Sequence, residues 1–297
     1  MAFKVFCDKV IVDILNYLEI KGYDKVKLNN IIDNTIFFEY TNPENESIEV
    51  IYKGIKIKEV LDSSLNNVCG FQLPLLIEYN NKIVNATNLI GLDSKNKKKF
   101  RKNILIHELM HLLSQKEIII DNKYYICTGI LKEEFKLIDK DVICNSNYEY
   151  IQRINEGMTQ YLAKFLEKEI YNKHNFTHDC SVYSDLITIF NIFLFNTTNV
   201  DKILDIYMNN KIEEFFYIMQ NELGISEKFL KKNILPKVYY DVSKIYLNYL
   251  IIKYLRVIIN KKRKNNKTLE GLKEKLLTNI SKEKYPYVIW YINLKLR

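Results

Sequence analysis

The chain has 297 residues, 47% of them hydrophobic and 27% charged, a globular composition long enough for one large domain or two modest ones. Eight glycines and four prolines argue against long disordered linkers, and five scattered cysteines (Cys7, Cys69, Cys127, Cys144, Cys180) with no CxxC pair argue against a disulfide framework. The net charge of +8 gathers in two runs, Lys95 to Lys102 and Lys261 to Lys264, which read as a solvated helix flank and an exposed linker.

In chain order, residues 3–21 place Val5, Phe6, Ile11, Ile14, Leu15 and Leu18 near helical period, with Gly22 as a stop signal. Residues 35–40 are β-rich, and 47–53 and 55–58 alternate apolar with polar around Gly54. Residues 73–79 and 82–88 form a hairpin pattern around Asn80-Asn81. A small, mostly antiparallel sheet from about 35 to 90 is the economical reading. Gly91-Leu92-Asp93-Ser94 then supplies turn and N-cap residues for a helix running to about Gln115. Leu105, Leu109, Leu112 and Leu113 form its core stripe, and Ile104, His107 and His111 share another face. The basic residues at its start oppose the helix dipole and move its first turn later than Ser94. A second hairpin follows, with Ile118–Ile120 and Tyr124–Ile126 around Asp121-Asn122.

Ser146-Asn147-Tyr148-Glu149 is a capping-box pattern opening another helix, with Ile151, Ile154, Met158, Tyr161, Leu162 and Phe165 on its core face. The remainder reads as helical over roughly 181–197, 200–223, 238–260 and 267–279, while Tyr285-Pro286-Tyr287 and the last apolar run are ambiguous. No internal repeat is visible. The fold class is α+β: residues 1–178 make a metal-binding domain of small mixed or antiparallel sheet plus helices, and 179–297 a helical C-terminal domain.

Chemistry concentrates at His107-Glu108-Leu109-Met110-His111. Two histidines four apart on a helix project from one face, so both imidazoles can bind one zinc ion while Glu108 lies beside them. With 4 His and 22 Glu in the chain, shuffled sequences contain HExxH only about 0.004 times each. An open catalytic site needs a third protein ligand. Glu156, in Asn155-Glu156-Gly157, is the leading candidate, since enough chain follows His111 for a second helix to fold back. His174 and His178 are the only other histidines, in a polar stretch, and either could be an alternative ligand or a transition-state donor.

On these residues the segment from about 100 to 165 resembles the gluzincin metallopeptidases, in which a Glu from a following helix completes HExxH. Asn155-Glu156-Gly157 and the aromatic-aliphatic run after it look like the NEG segment of aminopeptidase-type members. The resemblance implies a zincin-like core, one Zn2+ held by His107, His111 and Glu156, and Glu108 as general base. It departs at Gln160, where some gluzincins carry a carboxylate that orients a ligand histidine; Thr159 is another source of such support. Tyr161 and His178, with Tyr148, Tyr150 and Arg153, are further candidates for stabilising an oxyanion. No segment matches the one that anchors a substrate amino terminus in aminopeptidases.

The expected function is zinc-dependent hydrolysis of peptide bonds in a protein or peptide substrate, laid against a sheet edge at about Lys82 to Leu89. The alternatives are a peptidase-like zinc protein without catalysis, acting in binding or assembly, and a basic binder of nucleic acid or membrane surfaces. The retained Glu108 favours the first over the second, and no nucleic-acid motif supports the third. No run of 18 apolar residues and no secretory signal is legible, so a cytoplasmic protein is expected, with leaderless export not excluded.

Overall fold

The computed structural model describes residues 2–43, 46–61, 63, 65, 68–95, 98–145, 149–172, 200–222, 224–228, 244–264, 273–274, 277 and 286–296. The chain sorts into two compact units: Met1–Ser146 with Leu162–His178, and Asn147–Tyr161 with Asp179–Arg297.

The first unit opens with helix α1 (Ala2–Ile20), close to the expected bounds, and helix α2 (Lys25–Asp33), which periodicity did not reveal. Asp24 starts α2: its carboxylate accepts from the N–H of Val26 at 2.9 Å and of Lys27 at 3.2 Å. Strand β1 (Thr35–Tyr40) is followed by β2 (Ser47–Tyr52), β3 (Ile55–Val60), β4 (Gly70–Tyr79) and β5 (Lys82–Asp93). Helix α3 (Lys98–Leu113) comes next, then β6 (Lys116–Ile120), β7 (Lys123–Thr128), β8 (Leu131–Ile138) and β9 (Asp141–Cys144).

Turn chemistry sets most of this β structure. At Lys53-Gly54, Asn80-Asn81, Asp121-Asn122 and Asp139-Lys140 both residues have positive φ. That is the two-residue turn whose twist matches paired strands. These turns close β2–β3, β4–β5, β6–β7 and β8–β9. Strands β8 and β9 extend the second hairpin into a four-stranded meander. They escaped the sequence reading because Lys132, Glu133, Glu134 and Lys136 dilute the apolar alternation of β8.

The remaining sheet is mixed, with order β1-β5-β4. Strand β1 joins β5 in parallel, Thr35 opposite Asn88 through Tyr40 opposite Asp93. A mixed sheet is within what the sequence led us to expect, but two expectations are corrected. The strands between 35 and 90 form two sheets rather than one, with β2 and β3 in a separate pair, and Gly91, Leu92 and Asp93 are the end of a strand rather than a turn and helix cap. Residues Ala86 to Leu92 are buried without a break, as in a strand covered on both faces. The expected substrate edge, Lys82 to Leu89, therefore lies in the central strand; only Lys82 to Thr87 lack a β1 partner.

One face of this sheet carries the cluster Tyr40, Leu61, Phe71 and Leu89, joined by Ile36, Phe38, Ile48, Leu65 and Val68. Gly91 permits that packing, since a Cβ there would meet ring carbons of Phe71 at 2.5 and 2.6 Å. Helix α3 packs on the other face, against β4 and β5, with α1 and α2 beside it.

The second unit takes the beginning of helix α4 (Glu149–Tyr171), whose later part belongs to the first. It continues with α5 (Val200–Met208), α6 (Ile212–Tyr217), a π-helical turn at Ile218–Glu222, α7 (Lys244–Lys264) and α8 (Pro286–Lys295). The expected single helix over 200–223 is broken after Met208. Asn210 takes the left-handed conformation at φ 52°, and the Lys211 N–H returns to the Ile206 carbonyl at 2.9 Å. The run Lys261 to Lys264 lies on α7 rather than in a linker, and Arg263 Nη2 donates to the Lys295 carbonyl at 2.9 Å. Pro286 opens α8, where a proline costs nothing.

The expected helices at 181–197 and, in most part, 267–279, the start of the one at 238–260, the capping serine at 146 and the boundary at 178 fall outside the described residues. Cys7, Cys69, Cys127 and Cys144 are unbridged thiols, and Cys180 is outside the described residues. Among the described residues no helix is long and apolar enough to cross a membrane.

Candidate metal centre

Every residue of α3 from Ile104 to the adjoining Ser114 is buried, so the helix has no solvent-facing side over that stretch. The expected division into a leucine core stripe and a separate histidine face is absorbed into this wholly enclosed segment. His107 is 5% exposed, Glu108 6% and His111 8%, values that matter because buried ionisable groups are costly unless partnered or bound to metal.

The two imidazoles meet edge to face, with ring centroids 4.8 Å apart and Nε2 atoms 3.1 Å apart. Two nitrogens each about 2.0–2.1 Å from one tetrahedral ion would lie about 3.3 Å apart, so the spacing suits a shared ion. It also suits one N–H···N hydrogen bond when a single ring carries its proton on Nε2. One ligand atom from each of His107, Glu108 and His111 lies within 4.8 Å of the other two. Among the described residues this is the one group of three or more His, Cys, Asp or Glu side chains placed to hold a metal ion. The donor set, two imidazoles and a carboxylate in dry surroundings, fits a divalent cation of the first transition row.

Three anchors hold the helix. At its start the Arg101 guanidinium pairs with Glu39 of β1 at 2.6 Å and donates to the Ser94 carbonyl at 2.6 Å. At its end the Ser114 hydroxyl donates to the His111 carbonyl at 3.1 Å and accepts from the Gly129 N–H at 2.9 Å. Beyond it Gln115 accepts from Gln72 Nε2 of β4 at 2.8 Å and donates to Asn88 Oδ1 of β5 at 3.0 Å. A fourth contact comes from the later part of α4. There Glu167 accepts from Asn103 at 3.0 Å, and the Lys102 ammonium lies 3.7 Å above the Tyr171 ring. The Tyr171 hydroxyl in turn donates to Asp13 of α1 at 2.9 Å. Arg101 and Lys102 thus spend their charge on the fold, in keeping with a helix flank.

Strand β4 lies directly beneath the carboxylate. A Cβ built on Gly70 would sit 3.3 Å from Glu108 Oε1 and 2.5 Å from Ile104 Cγ2. Nearby, burial first, and then the negative charges of Asp93, Cys69 and Glu108, raise the Tyr40 phenol well above its ordinary range. Its hydroxyl donates to the Val68 carbonyl. Gly70, Gln72, Ser114 and Gln115 were not singled out by sequence, because no local pattern signals a contact made across the fold.

Of the other sequence candidates, Glu156 is half-buried on the part of α4 belonging to the second unit. Its neighbour Asn155 is 1% exposed and Thr159 fully buried. The Thr159 hydroxyl donates to the Asn155 carbonyl at 2.7 Å, and so accepts from the Tyr207 hydroxyl at 2.5 Å. Its single proton is committed within the helix. Gln160 is half-buried and Tyr161 buried, and burial raises the Tyr161 phenol to about 12. His174 and His178 fall outside the described residues, as do the side chains of Tyr148, Tyr150 and Arg153.

No protein-family model, curated protein or solved structure matches the chain.

Proposed function

We propose that this protein is a zinc-dependent hydrolase of peptide bonds, built as a gluzincin with a zincin-like core. The observation that carries the reading is a buried HExxH turn whose imidazole nitrogens stand 3.1 Å apart with a carboxylate beside them. A structural zinc site has no use for that carboxylate, whereas hydrolysis needs a base there. A second support comes from where the buried polar side chains fall. Among the described residues they are Thr87 and Asn88, then His107, Glu108, His111 and Ser114, and Asn155 with Thr159. The last two flank Glu156, in the segment that resembles the family's NEG sequence.

His107 and His111 would hold the ion through Nε2, and Glu156 is the proposed third ligand. When bound, zinc supplies Lewis acidity, polarising the scissile carbonyl and lowering the pKa of water. Glu108 accepts the proton from the attacking water and passes it to the leaving amine. The enclosure from Ile104 to Ser114 excludes bulk water, which strengthens each of these interactions.

Metal content and chelator-sensitive cleavage of a peptide library test the reading. Purified protein is expected to carry one zinc per chain, lost in His107→Ala and in Glu156→Ala. Glu108→Gln should keep the metal and lower kcat by about 10²- to 10⁴-fold. A Glu156→Ala protein that binds zinc as tightly as the parent removes the third-ligand assignment. A parent that cleaves nothing in the library removes the peptidase assignment.

A further inference from the structure

Gly70 opens β4 and pairs with Leu92 of β5. Unlike Gly22, Gly54, Gly129 and Gly224 it does not have positive φ, so its backbone is open to any L-residue. What forbids a side chain is space. A Cβ there would stand 2.5 Å from Ile104 Cγ2, 3.1 Å from Leu92 Cδ2 and 3.3 Å from Glu108 Oε1. The first of these separations is one that real Cβ atoms essentially never show, and Ile104 and Leu92 are both buried. The three nearest atoms include none from His107 or His111.

We propose that Gly70 is a positioning residue for Glu108: its bare Cα is the seat on which the carboxylate lies against strand β4. The proposal rests on the hydrolase reading for the role of Glu108 as base, while the seat itself is a property of the strand and helix. A methyl group at position 70 would press on the base and on Ile104 and leave the two imidazoles alone. The expected signature is a lesion in turnover with metal binding intact. Misplacing a reacting group by about 1 Å costs about 10²-fold in rate, and the push here is a fraction of that.

The variants are Gly70→Ala, Ile104→Ala and Gly70→Ala/Ile104→Ala, the last relieving the 2.5 Å clash while keeping the 3.3 Å one. Each is read for Tm, zinc content, kcat and KM. Gly70→Ala is expected to lower Tm, and the double variant to recover part of it. Zinc should stay stoichiometric in all three. In both variants that carry Gly70→Ala, kcat should fall about 3- to 10-fold with KM within about 2-fold. Recovery of kcat together with Tm in the double variant would overturn the proposal, since Gly70 would then serve Ile104 packing alone. Loss of zinc in Gly70→Ala would overturn it too, because the strand would be seating the histidines.

A readout independent of turnover separates this from the hydrolase reading. In cobalt-loaded protein the visible spectrum reports the surroundings of the ion. Glu108→Gln should shift that spectrum, and Gly70→Ala/Ile104→Ala should shift it in the same direction by a smaller amount. A double variant with the parent spectrum sinks the seat even if the parent hydrolyses peptides. A parent that cleaves nothing sinks the hydrolase reading and leaves the cobalt spectra to decide the seat.

Discussion

At the residue scale the site depends on groups that carry no charge and no metal. Ser114 is 1% exposed, and its hydroxyl joins the carbonyl of a candidate ligand, His111, to the turn after β7. Ser114→Ala deletes both bonds at a buried position without changing the backbone. The expected loss is about 1–3 kcal/mol of stability, measured by urea unfolding. Arg101→Ala should do less, about 0.2–1 kcal/mol, because its partner Glu39 is one-third exposed and water screens the pair. At this scale the sequence was most informative where chemistry is local. His107, Glu108 and His111 were legible because a helix brings residues four apart to one face. Gly70 was not, because its importance lies in atoms of a distant helix.

At the element scale, the hairpins β2–β3, β4–β5, β6–β7 and β8–β9 rest on turns whose two residues both take positive φ, and the first three of these were readable. Asn80-Asn81 and Asp121-Asn122 stand where the alternating runs break, and both hairpins form there. Asn81 has φ 58° and an exposed side chain. Asn81→Val should cost about 1–2 kcal/mol, since a branched side chain is strained in the left-handed region, whereas Asn81→Gly should cost nothing measurable. Equal denaturation midpoints for the two variants would show that the turn does not limit hairpin stability. The helices were legible where an apolar stripe or a stop signal was present, as in α1 and α4. They were misjudged where an asparagine ends one early, as at Asn210, or where a single cap is the main signal, as at Asp24.

For the whole molecule, burial of ionisable groups makes a prediction about alkaline pH. Burial, followed by the negative charges of Asp8 and Glu39, raises the Cys7 thiol to about 12. Burial raises the Tyr161 phenol to about 12 and carries Tyr40, Tyr124 and Tyr171 higher still. Each folded pKa is above its unfolded value, so the folded chain holds its proton more tightly. The stability this contributes is fully present below about pH 8, where the thiol and the phenols are protonated in both states. The thiol's share begins to be lost from about pH 8.5 and the phenols' from about pH 9.5, and the loss continues toward about 12. The urea midpoint should therefore stay level from about pH 7 to 8, slope gently to about 9.5 and fall steeply above about 10. Cys7→Ala and Tyr161→Phe should each flatten part of that fall. A midpoint constant to pH 11.5 would contradict the burial of these groups.

The sequence by itself determined the α+β class, the hairpin turns at Gly54, Asn80-Asn81 and Asp121-Asn122, and the HExxH cluster, because each follows from spacing over a few residues. Periods of 2 and 3.6 residues and the conformational preferences of Asn, Asp and Gly act over a few residues. The tertiary structure alone decided the parallel pairing of β1 with β5 and the enclosure of α3 from Ile104 onward. It also decided the glycine beneath Glu108 and the Gln72–Gln115–Asn88 chain that ties the helix to its sheet. These contacts join segments far apart in the chain. Their energy comes from excluding water and filling space, and neither leaves a periodic mark on the residues that supply it.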